Sequence, residues 1–253
     1  TRVIKHMMEF KALTLMQAST TQMEGVGARR DLASGLTNIG FLEVMVGRFG
    51  EAEATLRRGL ALANELGAVR ITTVATQNLA LALFYRGKPA EGLRTAVLAE
   101  QLARDQDSLR IAGAAMVYQA RCLLALARAA EARAVATRAL DVLAAMPPTL
   151  AYAYGAVAAA ALAEHDVAAA AAAATTADRL LEELGAIEEG DAFVRLVLAQ
   201  LRVALGEPRE AARIARGALT RIEAAAEGLS DASARASFAA LPEHVELAAL
   251  AAT

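Results

Sequence analysis

Residues 36–52 read Leu36-Thr-Asn-Ile-Gly-Phe-Leu-Glu-Val-Met-Val-Gly-Arg-Phe-Gly-Glu-Ala52, and residues 76–92 read Thr76-Gln-Asn-Leu-Ala-Leu-Ala-Leu-Phe-Tyr-Arg-Gly-Lys-Pro-Ala-Glu-Gly92. Set one above the other at an offset of 40, they place Asn38 on Asn78, Ile39 on Leu79, Gly40 on Ala80, Gly47 on Gly87 and Glu51 on Glu91. A fixed period of this length is the signature of a repeat architecture. The register runs on down the chain. Gly47, Gly87, Ala127, His165 and Gly206 share one corner position, spaced by 40, 40, 38 and 41 residues. Five residues after each corner stand Ala52, Gly92, Ala132, Ala170 and Ala211, and seven before it stand Gly40, Ala80, Ala120, Ala158 and Ala199. A small residue on each of two helices lets their backbones approach, and Gly at the corner supplies the left-handed turn that ends the first helix.

Apolar residues recur at helical spacing on both sides of the corners, as in Leu56, Leu60 and Ala63, or Leu93, Ala96 and Ala99. Short polar breaks at 64–68, 104–108, 146–149 and 182–191 separate the hairpins, and no stretch sustains the alternation of a β-strand. An all-α chain is expected. Its composition agrees: of 253 residues, 56% are hydrophobic but only 4% aromatic, and the abundant Ala suits close helix packing. A net charge of −2 with no basic stripe argues against a nucleic-acid partner. Of the 26 basic residues 23 are Arg, which with the Ala bias points to a GC-rich bacterial source. The lone Cys122 excludes an internal disulfide and fits a reducing compartment. The uncharged run from Val142 to Ala163 is broken by Pro147-Pro148 and is otherwise mostly Ala, too weakly apolar for a membrane span. The opening residues show no signal-peptide pattern, so a cytoplasmic location is expected.

These residues resemble the tetratricopeptide repeat. That family's pattern has a small residue at position 8, Gly near 15, and Ala at 20 and 27; position 27 here reads Gly59, Ala99, Ala139, Ala177 and Ala218. The period is near 40 instead of 34, and the family's aromatic at position 4 is replaced by Leu36 or Met116. The longer period is similar to the subgroup found in bacterial regulators and kinesin light chains. The resemblance implies a right-handed superhelical solenoid of antiparallel helix hairpins, all one domain. Its parts would be a partial leading repeat (1–28), five repeats (29–68, 69–108, 109–148, 149–187 and 188–228) and a closing segment (229–253). Within that segment Arg235-Ala-Ser-Phe238 and Pro242-Glu-His244 are similar to the tail of helical arrays in large bacterial signalling ATPases and kinases. The implied setting is the C-terminal region of a multidomain signalling protein or transcription regulator.

Residues for catalysis are not gathered anywhere. His6, His165 and His244 fall in separate parts of the array, and no metalloprotease pair, phosphate-binding loop or nucleophile elbow occurs. Cys122 sits beside Leu123 and Leu124 and reads as a buried thiol. Gly25-Val-Gly27 reads as a turn. The acidic cluster Glu182, Glu183, Glu188, Glu189 and Asp191 lacks the alternation of a calcium loop and reads as a solvated helix end and loop. Met7, Met8, Met16 and Met23 read as packing for the leading half-repeat. No catalytic residue, no cofactor and no metal are expected.

In arrays of this family the first helices line a concave face, and positions 2, 5, 6, 9, 12 and 13 point toward it. In repeats one to three this selects Thr37, Asn38, Phe41, Met45, Gln77, Asn78, Leu81, Tyr85, Tyr118 and Arg121 as candidate partner-binding residues. The repeated Asn at position 6 resembles the peptide-contacting Asn of the long-period subgroup, since its amide both donates and accepts; the other reading is an Asn bonded within its own hairpin. Phe41 and Tyr85 would cover peptide side chains, and Arg121 would meet a carboxylate. In repeat four the matching positions are Gly155, Ala156, Ala159 and Ala163, so polar recognition is expected to fade there. Ala158 to Ala174 is expected to serve tight packing, within the stack or against a second copy in a homodimer. The function expected is a non-catalytic scaffold that holds a protein or peptide; the alternative is a ligand sensor controlling an attached kinase, ATPase or DNA-binding domain.

Overall fold

All five prolines of the chain lie in the first turn of a helix, where their missing N–H is no loss and their fixed φ suits the helix. The computed structural model describes residues 26–229 and 231–253; the leading half-repeat, with its methionines, lies almost wholly outside them. Ten helices form five hairpins: α1 (Val26–Met45) with α2 (Phe49–Glu65), α3 (Val69–Tyr85) with α4 (Pro89–Arg104), α5 (Leu109–Ala125) with α6 (Ala129–Leu143), α7 (Pro147–Ala163) with α8 (Val167–Leu184), and α9 (Asp191–Ala204) with α10 (Pro208–Ala226). Two short helices follow, α11 (Ala232–Ala239) and α12 (Pro242–Ala251). No strand occurs among the described residues.

The corners show why the period is fixed. Gly47, Gly87, Ala127, His165 and Gly206 all turn through positive φ, at 80°, 71°, 58°, 61° and 77°. In each case the next residue's N–H donates to the carbonyl five residues back, for example Arg48 to Glu43 at 2.8 Å and Asp166 to Ala161 at 2.9 Å. That bond satisfies a carbonyl that the helix end would leave unpaired. Gly67 and Asp107 make the same turn between hairpins, at 59° and 51°.

The small residues sit where the helices cross. Ala52, Ala80, Ala120, Ala132, Ala158, Ala170, Ala199 and Ala211 are fully buried. A Cβ on Gly40 would fall 2.4 Å from Leu56 Cγ, so glycine there sets the separation of α1 and α2. The poly-Ala stretch is used within the stack: Ala158, Ala160, Ala161, Ala170 and Ala174 are buried in the main core.

Each first helix (α1, α3, α5, α7, α9) packs against the next first helix, whereas successive second helices stand apart. An array whose inner row is tight and outer row is loose must curve, with the first helices on its concave side. The central inner helix is accordingly buried nearly all round; every residue from Ile111 to Leu123 on α5 is buried. The closing pair α11–α12 folds back over this row, with α12 packed on α9 and α10.

Candidate functional site

At the middle of the inner row stands Arg121 of α5, only 5% exposed. Its guanidinium lies over the Phe84 ring at 4.4 Å and the Phe193 ring at 4.6 Å, so the cation is held between aromatic faces. Its Nη1 donates to the hydroxyls of Tyr85 (3.0 Å) and Tyr152 (2.9 Å), and its Nη2 donates to the Glu243 carboxylate. Tyr85 closes a triangle by donating its own proton to Glu243 at 2.8 Å, while its ring stacks on Phe49. Burial alone would push the Glu243 carboxyl up, but the charge of Arg121 and the bonds from Tyr85 and Arg121 outweigh it and hold the group below its ordinary value. The phenols of Tyr85 and Tyr152 move the other way, raised first of all by burial. The site is thus a fixed cation, a carboxylate bound to it, and two neutral hydroxyls that orient both.

Glu243 comes from α12, which brings the rest of the closing segment with it. Leu247 packs against Leu196, Ala215 and Ala218 of the last hairpin. Gln200 donates to Glu246 at 3.1 Å. At the far end, Asp231 caps α11 by accepting from Ser233 and Ala234 and also receives Arg48 from the first corner. Beside the Arg121–Glu243 pair lies a cavity of about 340 Å³, walled by Leu124, Phe193, Leu196 and Val197, with Gln200 and Glu246 at its polar side.

A second acid, the half-buried Glu189, joins the inner row at Tyr118. Tyr118 donates to Glu189 and accepts from Gln77 Nε2 at 3.2 Å. Glu189 stands in the loop between α8 and α9, where Gly190 turns at φ 82°. A Cβ on Gly190 would lie 2.6 Å from the Tyr152 ring, so the loop is pressed flat against that ring and its glutamate turns inward. Burial raises the Glu189 carboxyl above its ordinary value, against the pull of Tyr118 and Arg121. The expectation that Glu189 belongs to a solvated cluster is therefore corrected. Its acidic neighbours Glu182, Glu183 and Glu188 are exposed. Among the described residues no group of His, Cys, Asp and Glu is arranged to hold a metal ion, and no helix is long and apolar enough to cross a membrane.

The array as a whole is similar to solved structures. A Rap protein complexed with competence and sporulation factor superimposes with a TM-score of 0.72 at 12% identity, over 99% of this chain and 72% of that one. The chain has the fold of a tetratricopeptide-type array. BtubC (BKLC) from P. vanneervenii matches this array with a TM-score of 0.59 at 17% identity, over 90% of this chain and 93% of its own. The apo form of RapI matches with 0.57 at 10% identity, over 94% of this chain and 66% of that one. No family model and no curated protein sequence matches the chain.

Within the array the ten candidate residues have different surroundings. Tyr85, Arg121, Tyr118 and Gln77 are joined in the two polar clusters just described. Thr37 is buried and donates to Ala33 of its own helix at 2.8 Å, and Leu81 is buried in the core. Phe41 and Met45 are half-buried on α1. Asn38 is exposed and Asn78 buried, and neither side-chain amide bonds to another described residue. Repeat four places one polar group on the inner row, the Tyr152 hydroxyl, which accepts from Arg121; Gly155, Ala156, Ala159 and Ala163 bring no polar side chain. Tyr152 and Phe193 occupy position 2 of repeats four and five, so the position rule extended two repeats further selects both. Glu243 and Glu189 carried no such signal, since both lie outside the first helices.

Proposed function

We propose that this chain is a non-catalytic module that binds a protein or peptide partner along the concave face of its inner helices, within a bacterial cytoplasmic signalling protein. The observation that carries this reading is Arg121: a buried cation fixed by two aromatic faces and two hydroxyls, presented to a carboxylate in the groove. Paired, rigid donors of this kind recognise carboxylates with more than point-charge strength. The Rap protein that shares the fold was solved in complex with competence and sporulation factor, which supports a binding role for the same architecture here. The proposed contact residues are Asn38, Phe41 and Met45 on α1, Asn78 and Tyr85 on α3, and Arg121 on α5, with Thr37, Gln77, Leu81 and Tyr118 supporting them from beneath.

Selection of a displayed random peptide library against the immobilised protein tests the reading. Enriched peptides should lose binding to the double variant Asn38→Ala, Asn78→Ala, while its melting temperature stays within a few degrees of the parent. Enriched peptides indifferent to both substitutions, or no enrichment at all, would refute it. The cavity of about 340 Å³ beside Arg121 supports a second reading, a sensor for a small metabolite. A ligand that binds only the folded state must raise the melting temperature, so a metabolite screen with no shift counts against that reading.

A further inference from the structure

The carboxylate on Arg121 is supplied by the chain itself. The closing segment divides into an anchor and a plug. Its anchor is apolar and local: Leu247, with Leu250 beside it, seats on the last hairpin against Leu196, Ala215 and Ala218. Across the groove it makes the polar contacts of Glu243 with Arg121 and Tyr85 and of Asp231 with Arg48, and Ser237 and Leu241 pack at the Gly47 corner, but none of its residues belongs to the main core. The plug can therefore leave the groove while the core of the array stays intact.

What can take its place is restricted by electrostatics. Withdrawing Glu243 leaves the guanidinium of Arg121 between the Phe84 and Phe193 faces without its paired carboxylate, and breaking one side of such a pair is unfavourable. A neutral or basic segment entering the groove would bear that cost in full. A segment carrying its own carboxylate would not, because Tyr85 and Arg121 keep the same donors in the same place. The apolar wall of Leu124, Leu196 and Val197 beside the pair suits an aliphatic residue next to the acid.

We infer that the partner of the groove is an acidic peptide whose carboxylate replaces that of Glu243 on Arg121, and that its binding lifts α11 and the first turn of α12 out of the groove while Leu247 stays seated on the last hairpin. This rests on the reading of the groove as a peptide-binding surface. Because the plug is tethered, it competes at an effective concentration in the millimolar range. The apparent affinity for the partner falls by the fraction of molecules whose groove is open.

The test uses a fluorescent peptide with the sequence of residues 239–250, and the same peptide with Gln in place of Glu243, titrated into the full chain and its Glu243→Gln variant. The acidic peptide is expected to bind the variant at least ~10-fold more tightly than the parent chain, and the Gln peptide to gain nothing. Hydrogen exchange of the α11 amides and of the first turn of α12 should speed up as the acidic peptide saturates the parent chain. Should Glu243→Gln fail to fold, Asp231→Asn loosens the plug at its exposed end and should give a smaller gain in the same direction. Equal affinities for the two peptides, no gain in either variant, or no binding of the acidic peptide to any of these chains overturns the inference. The library selection separates the two failures: enriched peptides that depend on Asn38 and Asn78 but carry no acid leave the groove reading standing and remove the acidic partner.

Discussion

Replacing Gly47 by Ala should destabilise the protein more than the same change at Gly87, although the two glycines hold the same corner of successive repeats. Both turn in the left-handed region, at φ 80° and 71°. A Cβ in that conformation costs about 1–2 kcal/mol. At Gly87 nothing lies within 4 Å of the added atom, so that is the whole expected loss. At Gly47 the Cβ would fall 2.4 Å from the carbonyl oxygen of Ser237, a backbone atom of α11. The closing segment must then shift, adding overpacking of about 1–3 kcal/mol. Urea denaturation followed by circular dichroism should give losses of about 1–2 kcal/mol for Gly87→Ala and about 2–5 kcal/mol for Gly47→Ala. Amide exchange in α11 and α12 should quicken in the Gly47 variant alone. Equal losses with unchanged exchange would show that α11 does not bear on the first corner, and the reasoning would fail.

The remaining expectations concern single groups. Ala127 holds the corner conformation at φ 58° without being glycine, so Ala127→Gly should raise stability by up to about 1 kcal/mol, read by the same denaturation. Tyr85→Phe removes a hydroxyl that accepts from Arg121 and donates to Glu243; the expected loss is about 1–3 kcal/mol, and a neutral effect would mean that the pair is held without it. The Glu53 carboxyl is held down at about 2, first by its bond to Lys88, against burial, and then by Arg57 and Arg86. Because its folded value is depressed, the stability it contributes is complete above its ordinary value near 4.5 and is lost as pH falls toward about 2. Glu53→Gln should flatten the acid limb of the stability curve in that window and leave neutral pH behaviour otherwise parallel. Burial pushes the Cys122 thiol up to about 12, so it should resist a thiol reagent in the native protein and react at once in denaturant; fast native labelling would contradict the packing of α5.

What could be read from the sequence was whatever each repeat requires locally. A left-handed corner and a helix crossing are needs of a few neighbouring residues, so Gly47 and Gly87 announced themselves. The register alone then carried the corner onto Ala127 and His165, where the residue type gave no hint. Arg121 was legible as a groove cation because its position within the repeat is fixed. Its counter-ion was not, since Glu243 lies 122 residues away in a helix that follows no repeat rule. Glu189 was misread for a related reason. Five acidic residues within ten positions look solvated, and only the turn at Gly190 against the Tyr152 ring brings one of them inside. The two asparagines at position 6 share a register but not an environment: Asn78 lies on a helix flanked by both α1 and α5, whereas α1 has one inner-row neighbour among the described residues.

In an open repeat array each unit touches only its neighbours, so stability is a sum of local terms and melting can begin at either end and spread. Here the Asp231–Arg48 and Glu243–Arg121 bonds join residues 183 and 122 positions apart. They fasten the last unit to the first and the third, and the linear array becomes a closed circuit. Among the described residues neither the α1–α2 corner nor the closing segment can come away without breaking one of these bonds, so thermal unfolding should be sharper than nearest-neighbour coupling alone would give. Closing it during folding requires the ends of a very long loop to meet, an entropic cost that grows only with the logarithm of loop length but adds to the contact order of an otherwise local, all-helical fold.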